Sequence, residues 1–264
     1  RRTTNIGDLM SLIIPANTLS GGFSVDFSAQ FSYSSSDNLR RTFGTPTNNK
    51  KWTYSIWLRN TDVSTRSVPF FTTSADASYI YYRSGSANPA PNALSIEQYQ
   101  GGFNYRLITS ATYTDEANFH HFVIAADTTQ GTASNRIKLY VDGTQITSWN
   151  TSQFPSQNFN TQVNKNILHI ISGFNSSGYF TGYMSEITFI DGQQLAATDF
   201  GIDDGTWKPI EISSDNLTFG NNGFYLPFTN ASNLGEDYSG NDNDFTVNNL
   251  TSGDQSTVTP TNNS

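Results

Sequence analysis

The stretch RIKLYVDGTQITS, residues 136–148, decides the fold of this chain. Apolar residues stand at every second position from Ile137 to Val141, which is the period of a β-strand with one buried side. The pair Asp142-Gly143 then interrupts the run, and Asp-Gly is favoured in tight turns whose two central residues both need positive φ. The stretch therefore predicts a β-hairpin, in which Asp142 is a turn residue rather than an acid or a ligand.

Strand-like stretches occur on both sides of this hairpin. In WTYSIWLR, residues 52–59, Trp52 and Trp57 fall on opposite faces, as expected of a central strand buried partly on both sides. Further strands are predicted at residues 23–33, 39–43, 67–73, 78–83, 93–100, 103–110, 119–127, 166–173 and 179–190. Only residues 196–200 suggest a helical turn. A chain of short strands forms either a two-sheet sandwich or a closed barrel, and short, unequal strands favour an all-β antiparallel sandwich.

The composition divides the chain into three parts. Residues 1–21 are an irregular lead-in arm, residues 22–200 are the sandwich, and residues 201–264 are a C-terminal extension rich in Gly and Asn. We expect one or two strands in this extension.

Charge and composition exclude several classes of function. The formal net charge is -8, whereas nucleic-acid binding needs clustered Lys and Arg. No apolar run approaches the ~20 residues that span a bilayer. The chain contains no cysteine, so disulfides and thiolate metal sites are excluded. We therefore expect neither nucleic acid nor membrane as a partner.

Four strings together resemble the concanavalin-A-like, laminin-G-type jelly roll. They are WTYSIWLR, FHHFVIAAD (119–127), KLYVDGTQI (138–146) and FTGYMSEITFIDGQQL (180–195), in the order and spacing of that family. The resemblance covers roughly residues 22–200. Phe119 stands where the family often has Trp, a change that a buried aromatic position should absorb. The resemblance implies a jelly-roll sandwich with a C-terminal extension.

The extension has a resemblance of its own. TWKPIEI (206–212), NGFYLPF (222–228), DYSGNDNDFTVNNL (237–250) and TPTNN (259–263) are similar to the C-terminal segment of concanavalin-like proteins encoded by tailed bacteriophages. That similarity implies a protein on the exterior of a phage particle, with other virion proteins as partners. Low charge and exposed strand edges also favour a homo-oligomer.

Three functions fit these features. We expect a non-enzymatic virion structural protein, such as a fibre, spike or head-decoration module, whose lectin-like face binds host surface carbohydrate. A purely architectural subunit and a polysaccharide-degrading enzyme are the alternatives. Retaining glycosidases need two carboxylates about 5 Å apart. Because neither Glu97 nor Glu186 has a second carboxylate at an alternate strand position, we predict no catalytic residue.

A group of tyrosines in the middle third of the chain supplies the candidate ligand-binding residues. Sugar binders place exposed aromatic faces against pyranose rings, and rigid aromatic area also suits protein interfaces. Core and rim aromatics of a sandwich are an equally good explanation. The candidates are Tyr79, Tyr81, Tyr82, Tyr99, Tyr105 and Tyr113.

One segment of the extension has the spacing of a calcium loop. Its oxygen-bearing side chains are Asp237, Ser239, Asn241 and Asn243. The segment fails as an EF-hand, because Gly240 is at the fourth position and Asn248 replaces Glu at the twelfth. Asx-rich turns without metal are common. We predict no required cofactor, with calcium as the candidate metal.

The two consecutive histidines are predicted to be structural. In a strand, His120 and His121 point to opposite faces and cannot chelate one ion together.

Overall fold

The computed structural model describes residues 22–63, 66–74, 78–174 and 177–262, so the predicted arm at 1–21 lies outside the described residues. Within these ranges no helix is long and apolar enough to cross a bilayer. The helical elements there are three short 3₁₀ turns, Ala133–Asn135, Ala197–Asp199 and Ser252–Asp254. The helical turn expected at 196–200 is therefore confirmed as 3₁₀.

The rest of the regular secondary structure among the described residues is β-strand, which confirms the all-β prediction. In chain order these are β1 (Ser28–Phe31), β2 (Asn38–Thr42), β3 (Lys51–Asn60), β4 (Val68–Thr73), β5 (Ser78–Tyr82), β6 (Ala93–Tyr99), β7 (Phe103–Thr112), β8 (His120–Asp127), β9 (Ile137–Val141), β10 (Thr144–Gln145), β11 (Trp149–Gln153), β12 (Leu168–Ile171), β13 (Gly182–Asp191), β14 (Gly201–Asp203), β15 (Trp207–Pro209), β16 (Phe224–Leu226), β17 (Thr246–Asn248) and β18 (Gln255–Ser256).

Two eight-stranded antiparallel sheets form the sandwich. Sheet A has the order β10-β9-β8-β3-β13-β1-β18, and β16 also pairs with β13. Sheet B has the order β11-β7-β6-β5-β4-β12-β2-β17. The chain crosses between the sheets many times, which gives the jelly-roll arrangement that the sequence predicted.

The hairpin at residues 136–148 forms as expected. Asp142 has φ 47° and Gly143 has φ 77°, and Val141 pairs with Thr144. The side chain of Asp142 also binds the neighbouring strand: one oxygen accepts the backbone N–H of His121 at 2.8 Å, and the other lies 2.7 Å from Nδ1 of His120. The turn residue therefore ties the hairpin to β8.

The main core lies between the two sheets. On β3, Trp52, Tyr54, Ile56 and Leu58 point inward and are completely buried, whereas Trp57 lies on the opposite face of the sheet. Each such side chain contributes about 1.5–3 kcal/mol by leaving water. This alternation confirms that β3 is a central strand.

The extension is more integrated than the sequence predicted. It carries five short strands, not one or two: β14 and β15 pair with each other, while β16 and β18 join sheet A and β17 joins sheet B. The prediction failed because these strands have only two or three residues, too few for a period to show. The pairing partners of β16, β17 and β18 lie far away in sequence, so only the assembled sheets define these three strands.

Candidate functional site

The outer face of sheet A is covered by the extension. An apolar cluster, here called the outer cluster, forms between β8, β13 and the segment that follows β13; its members are Val123, Ile190, Ala197, Phe200, Ile212, Leu217, Phe219 and Tyr225. Trp207 packs against it and donates its indole N–H to Nδ1 of His121 at 2.9 Å. This face therefore has a structural role.

The histidines lie on opposite faces of β8, as predicted. His121 is buried between Trp57 and Trp207, and its Nε2 lies 2.8 Å from Oγ of Ser55. Burial lowers the pKa of His121 to about 3, so the ring is neutral. His120 is paired with Asp142, which raises its pKa.

Polar and aromatic side chains meet on the outer face of sheet B. Ile80 and Tyr82 point into the core, so Tyr79 and Tyr81 point outward from the same strand. In the register of the sheet, Tyr79 stands opposite Glu97 on β6, and Glu97 stands opposite Arg106 on β7. We call the surface formed by Tyr79, Tyr81, Glu97, Arg106 and Phe174 the tyrosine face.

Three aromatic rings form one part of the tyrosine face. The ring centroid of Phe174 lies 5.0 Å from that of Tyr79 and 6.3 Å from that of Tyr81, in edge-to-face geometry. Both tyrosines are half-buried, and partial burial raises the pKa of each phenol, so both are neutral hydrogen-bonding groups at pH 7. Such rings combine an apolar surface with a polar tip.

Glu97 holds the polar part of the tyrosine face in place. It is only 5% exposed, and its Oε1 accepts hydrogen bonds from Oγ of Ser95 at 2.5 Å, Nε of Arg106 at 3.0 Å and Oη of Tyr81 at 3.1 Å. Arg83 Nη1 lies 3.6 Å from the same oxygen. A buried carboxylate needs such partners. The hydrogen bond to Glu97 holds the Tyr81 ring in place. The positive charges of Arg83 and Arg106 balance the negative charge of the Glu97 carboxylate.

The sequence analysis missed Arg106, a charged residue of this face. Its Nε is bound to Glu97 and its guanidinium lies 4.4 Å from the centroid of the Phe103 ring, but its terminal Nη atoms have no hydrogen-bond partner within the part of the chain that the structure describes. These N–H groups can donate to a ligand oxygen. A signal was present, because Glu97 and Arg106 are charges at outward positions of strands that are otherwise uncharged on that side.

The other four candidate tyrosines do not join this face. Tyr82 and Tyr105 are completely buried in the main core, where no ring face is open to a ligand. Tyr113 packs against the same core. Tyr99 is 46% exposed at the β6–β7 turn, where it contacts Phe103. Strand alternation splits the sequence cluster, and ligand binding by the outward members stays a prediction.

The candidate calcium residues are bound to each other and to the backbone. One carboxylate oxygen of Asp237 accepts N–H groups of Tyr225 and Ser239, and the other accepts from Oγ of Ser239 and the N–H of Asn243. The amides of Asn241 and Asn243 donate to backbone carbonyls, including that of Gly223. A cation needs oxygen ligands directed at it. This closed Asx network does not fit calcium.

Glu186 is the carboxylate with the most unusual environment. It occupies a β-bulge with φ 50°, is 4% exposed, and accepts a 2.5 Å hydrogen bond from Oη of Tyr225. Burial raises its pKa to about 7. It lines a cavity of about 260 Å³ together with Asp26 and Glu211. No group of three metal-ligating residues occurs among the described residues, here or elsewhere.

Comparison with known proteins identifies the fold. Residues 32–198 match the family described as the concanavalin A-like lectin/glucanases superfamily. The structure resembles a candidate carbohydrate-binding protein from Bacteroides ovatus ATCC 8483, with a TM-score of 0.57, 15% identity, and coverage of 86% of this chain and 59% of that one. This chain thus spans less than two thirds of that protein. At such identity the likeness shows the fold alone.

Two further solved structures are similar at lower TM-scores. A heptameric SAP-like pentraxin from Limulus polyphemus gives a TM-score of 0.44 at 12% identity, covering 65% of this chain and 78% of that one. Tailspike protein 2 from the Escherichia coli O157:H7 bacteriophage CAB120 gives 0.41 at 12% identity, covering 65% of this chain and 23% of that one. No curated protein matches the chain significantly.

Proposed function

Because the chain belongs to the concanavalin A-like lectin/glucanase superfamily, we propose that it is a non-enzymatic protein whose tyrosine face binds surface glycans. One observation carries the proposal: Tyr79 and Tyr81 present half-exposed rings on the same outer face as Arg106, whose Nε donates to the Glu97 oxygen that also accepts from Oη of Tyr81. The corresponding side of sheet A is covered by the extension. The two outer faces therefore differ in their availability to a ligand.

The chemistry of the tyrosine face suits a sugar. A pyranose ring has an apolar C–H surface, which packs on an aromatic ring, and hydroxyl groups, which pair with phenols and guanidinium N–H groups. The Glu97 network holds Tyr81 before the ligand arrives, and such preorganisation lowers the entropic cost of binding.

We place this activity on the exterior of a phage particle. Support comes from the similarity of residues 206–263 to the C-terminal segment of phage-encoded concanavalin-like proteins. In this setting the partners are other virion proteins, a second copy of the chain and host surface carbohydrate. Mass spectrometry of purified particles tests the placement. Absence of the protein from particles would contradict it.

A glycan array tests the binding activity. We expect the wild-type chain to bind at least one glycan class, and Tyr79→Ala and Tyr81→Ala to weaken that binding by about tenfold each, through loss of one stacking partner. Tyr33→Ala is the matched control, because Tyr33 is 40% exposed and lies outside the tyrosine face. Equal binding by all four proteins would contradict the proposal.

Two alternatives have distinct outcomes. A purely architectural subunit would be present in particles and would bind no glycan on the array. A polysaccharide-degrading enzyme would release reducing sugar, and Glu186 is then the residue to test, because a buried carboxyl with pKa about 7 is suited to general acid catalysis. Loss of that release in Glu186→Gln would support the enzyme.

A further inference from the structure

We propose that a cleft beside the 136–148 hairpin is a second carbohydrate subsite, specific for a neutral sugar. This inference rests on the proposed function and extends it to a separate surface. The cleft has a volume of about 340 Å³, at the lower end of the range of small-ligand sites. It lies where the chain passes from β10, at the edge of sheet A, to β11, at the edge of sheet B. We call it the hairpin cleft.

Aromatic rings form one wall of the hairpin cleft. Trp149 and Phe154 line it with their ring centroids 6.2 Å apart and their planes at 87°. Both rings also pack against the main core, which fixes their positions. The indole N–H of Trp149 has no hydrogen-bond partner among residues 22–63, 66–74, 78–174 and 177–262. The wall thus offers a rigid apolar surface with a free donor at its edge.

The polar lining of the hairpin cleft is neutral and unused. Asn135, Gln145, Thr147 and Ser152 line the cleft, and in the described part of the chain their side chains make no hydrogen bond. Amides and hydroxyls both donate and accept hydrogen bonds, as sugar hydroxyls do. In the Asp237 loop, by contrast, the polar side chains bind each other and the backbone. The free groups of the cleft are therefore available to a ligand.

The absence of charge from the lining selects the ligand class. None of the described residues that line the hairpin cleft is charged, although the chain has a net charge of -8. A charged ligand would lose hydration without gaining an opposite charge. A ligand with one apolar face and several hydroxyls matches the cleft. We assign the site to a neutral hexose or the neutral end of an oligosaccharide.

The test uses the indole signals of the full chain in ¹H–¹⁵N NMR spectra. The chain has four tryptophans, and Trp149→Phe identifies the signal of Trp149. The probes are D-glucose, D-galactose, D-mannose and N-acetyl-D-glucosamine. We expect at least one of them to shift the Trp149 signal in a saturable way. Asn135→Ala and Gln145→Ala should each weaken that binding by about tenfold. Asn150→Ala is the control and should not change the binding, because Asn150 is an exposed amide on β11, next to Trp149, that does not line the cleft.

The outcomes separate this inference from the proposed function. If no hexose moves the Trp149 signal but Tyr79→Ala still weakens glycan-array binding, the subsite is overturned and the proposed function stands. A shift that Asn135→Ala and Gln145→Ala leave unchanged also overturns the subsite. If neither the array nor the titration shows binding, both proposals fail together.

Discussion

The two outer faces of this sandwich start from the same strand geometry and end in opposite environments. On sheet A, the outward residues His121 and Val123 are buried beneath the extension, and Trp57, stacked on His121, is buried as well. On sheet B, outward Tyr79 and Arg106 keep part of their surface in water. The first set is apolar or neutral, and the second includes charge. The polarity of the outward-pointing residues of a sheet therefore indicates whether another part of the chain covers that face.

The largest loss of stability is expected from a substitution in the outer cluster, on the covered face of sheet A. Phe200 is 2% exposed in the outer cluster, so Phe200→Ala should cost about 3–5 kcal/mol of unfolding free energy, through lost burial and the cavity left behind. Urea unfolding measures it. Ile202→Ala is the control, because Ile202 is 53% exposed and its loss should change stability by less than about 0.5 kcal/mol. Similar losses for both variants would show that packing in the outer cluster does not stabilise the protein.

The next effect concerns the buried acid under the extension. The pKa of Glu186 is about 7 in the folded protein, against an ordinary value of 4.5. The stability that its neutral form provides is present below pH 4.5 and is lost as the pH rises through 7. Glu186→Gln cannot ionise and should be more stable than wild type above pH 7, by up to about 3 kcal/mol. Thermal unfolding at pH 4 and pH 8 measures the difference, and a pH-independent difference would contradict the assignment.

The difference in stability between two glycine variants tests the contact between the hairpin and the extension. A Cβ at Gly143 would lie 2.4 Å from the Trp207 ring, whereas one at Gly101 would meet nothing within 4 Å; both glycines have positive φ, 77° and 68°. Gly101→Ala should cost about 1–2 kcal/mol from backbone strain alone. Gly143→Ala should cost about 1–3 kcal/mol more, from the clash. Equal losses in chemical denaturation would mean that Trp207 moves away freely.

The smallest stability effect is expected on the uncovered side. Tyr79→Ala removes a half-exposed ring from the tyrosine face and should cost about 1 kcal/mol or less. Its effect on glycan binding should be larger than its effect on stability. Urea unfolding and the array, measured on the same preparation, give both values. A loss comparable with that of Phe200→Ala would show that the tyrosine face is structural.

Much of the sandwich could be predicted because its signals are local. Alternation located β3 to β9 to within a few residues, and Asp142-Gly143 specified the turn between β9 and β10. The six candidate tyrosines are a contrasting case. Their nearness in sequence suggested one site, but strand parity sends Tyr82 and Tyr105 into the core and Tyr79 and Tyr81 outward. The alternation of inward and outward positions along a strand can be read from the sequence, and it separates these tyrosines better than their nearness in sequence does.

The sequence by itself determined the fold class and the hairpin at 136–148, because periodicity and turn chemistry act over a few residues, and four of its strings resembled those of the family. Only the tertiary structure decided which outer face is covered and what Asp142 binds besides its own turn. The same holds for the hydrogen bonds that close the Asp237 loop and the pairing of Glu97 with Arg106. These contacts join residues from different strands or loops, and their distances follow from sheet order and register, which no local pattern specifies.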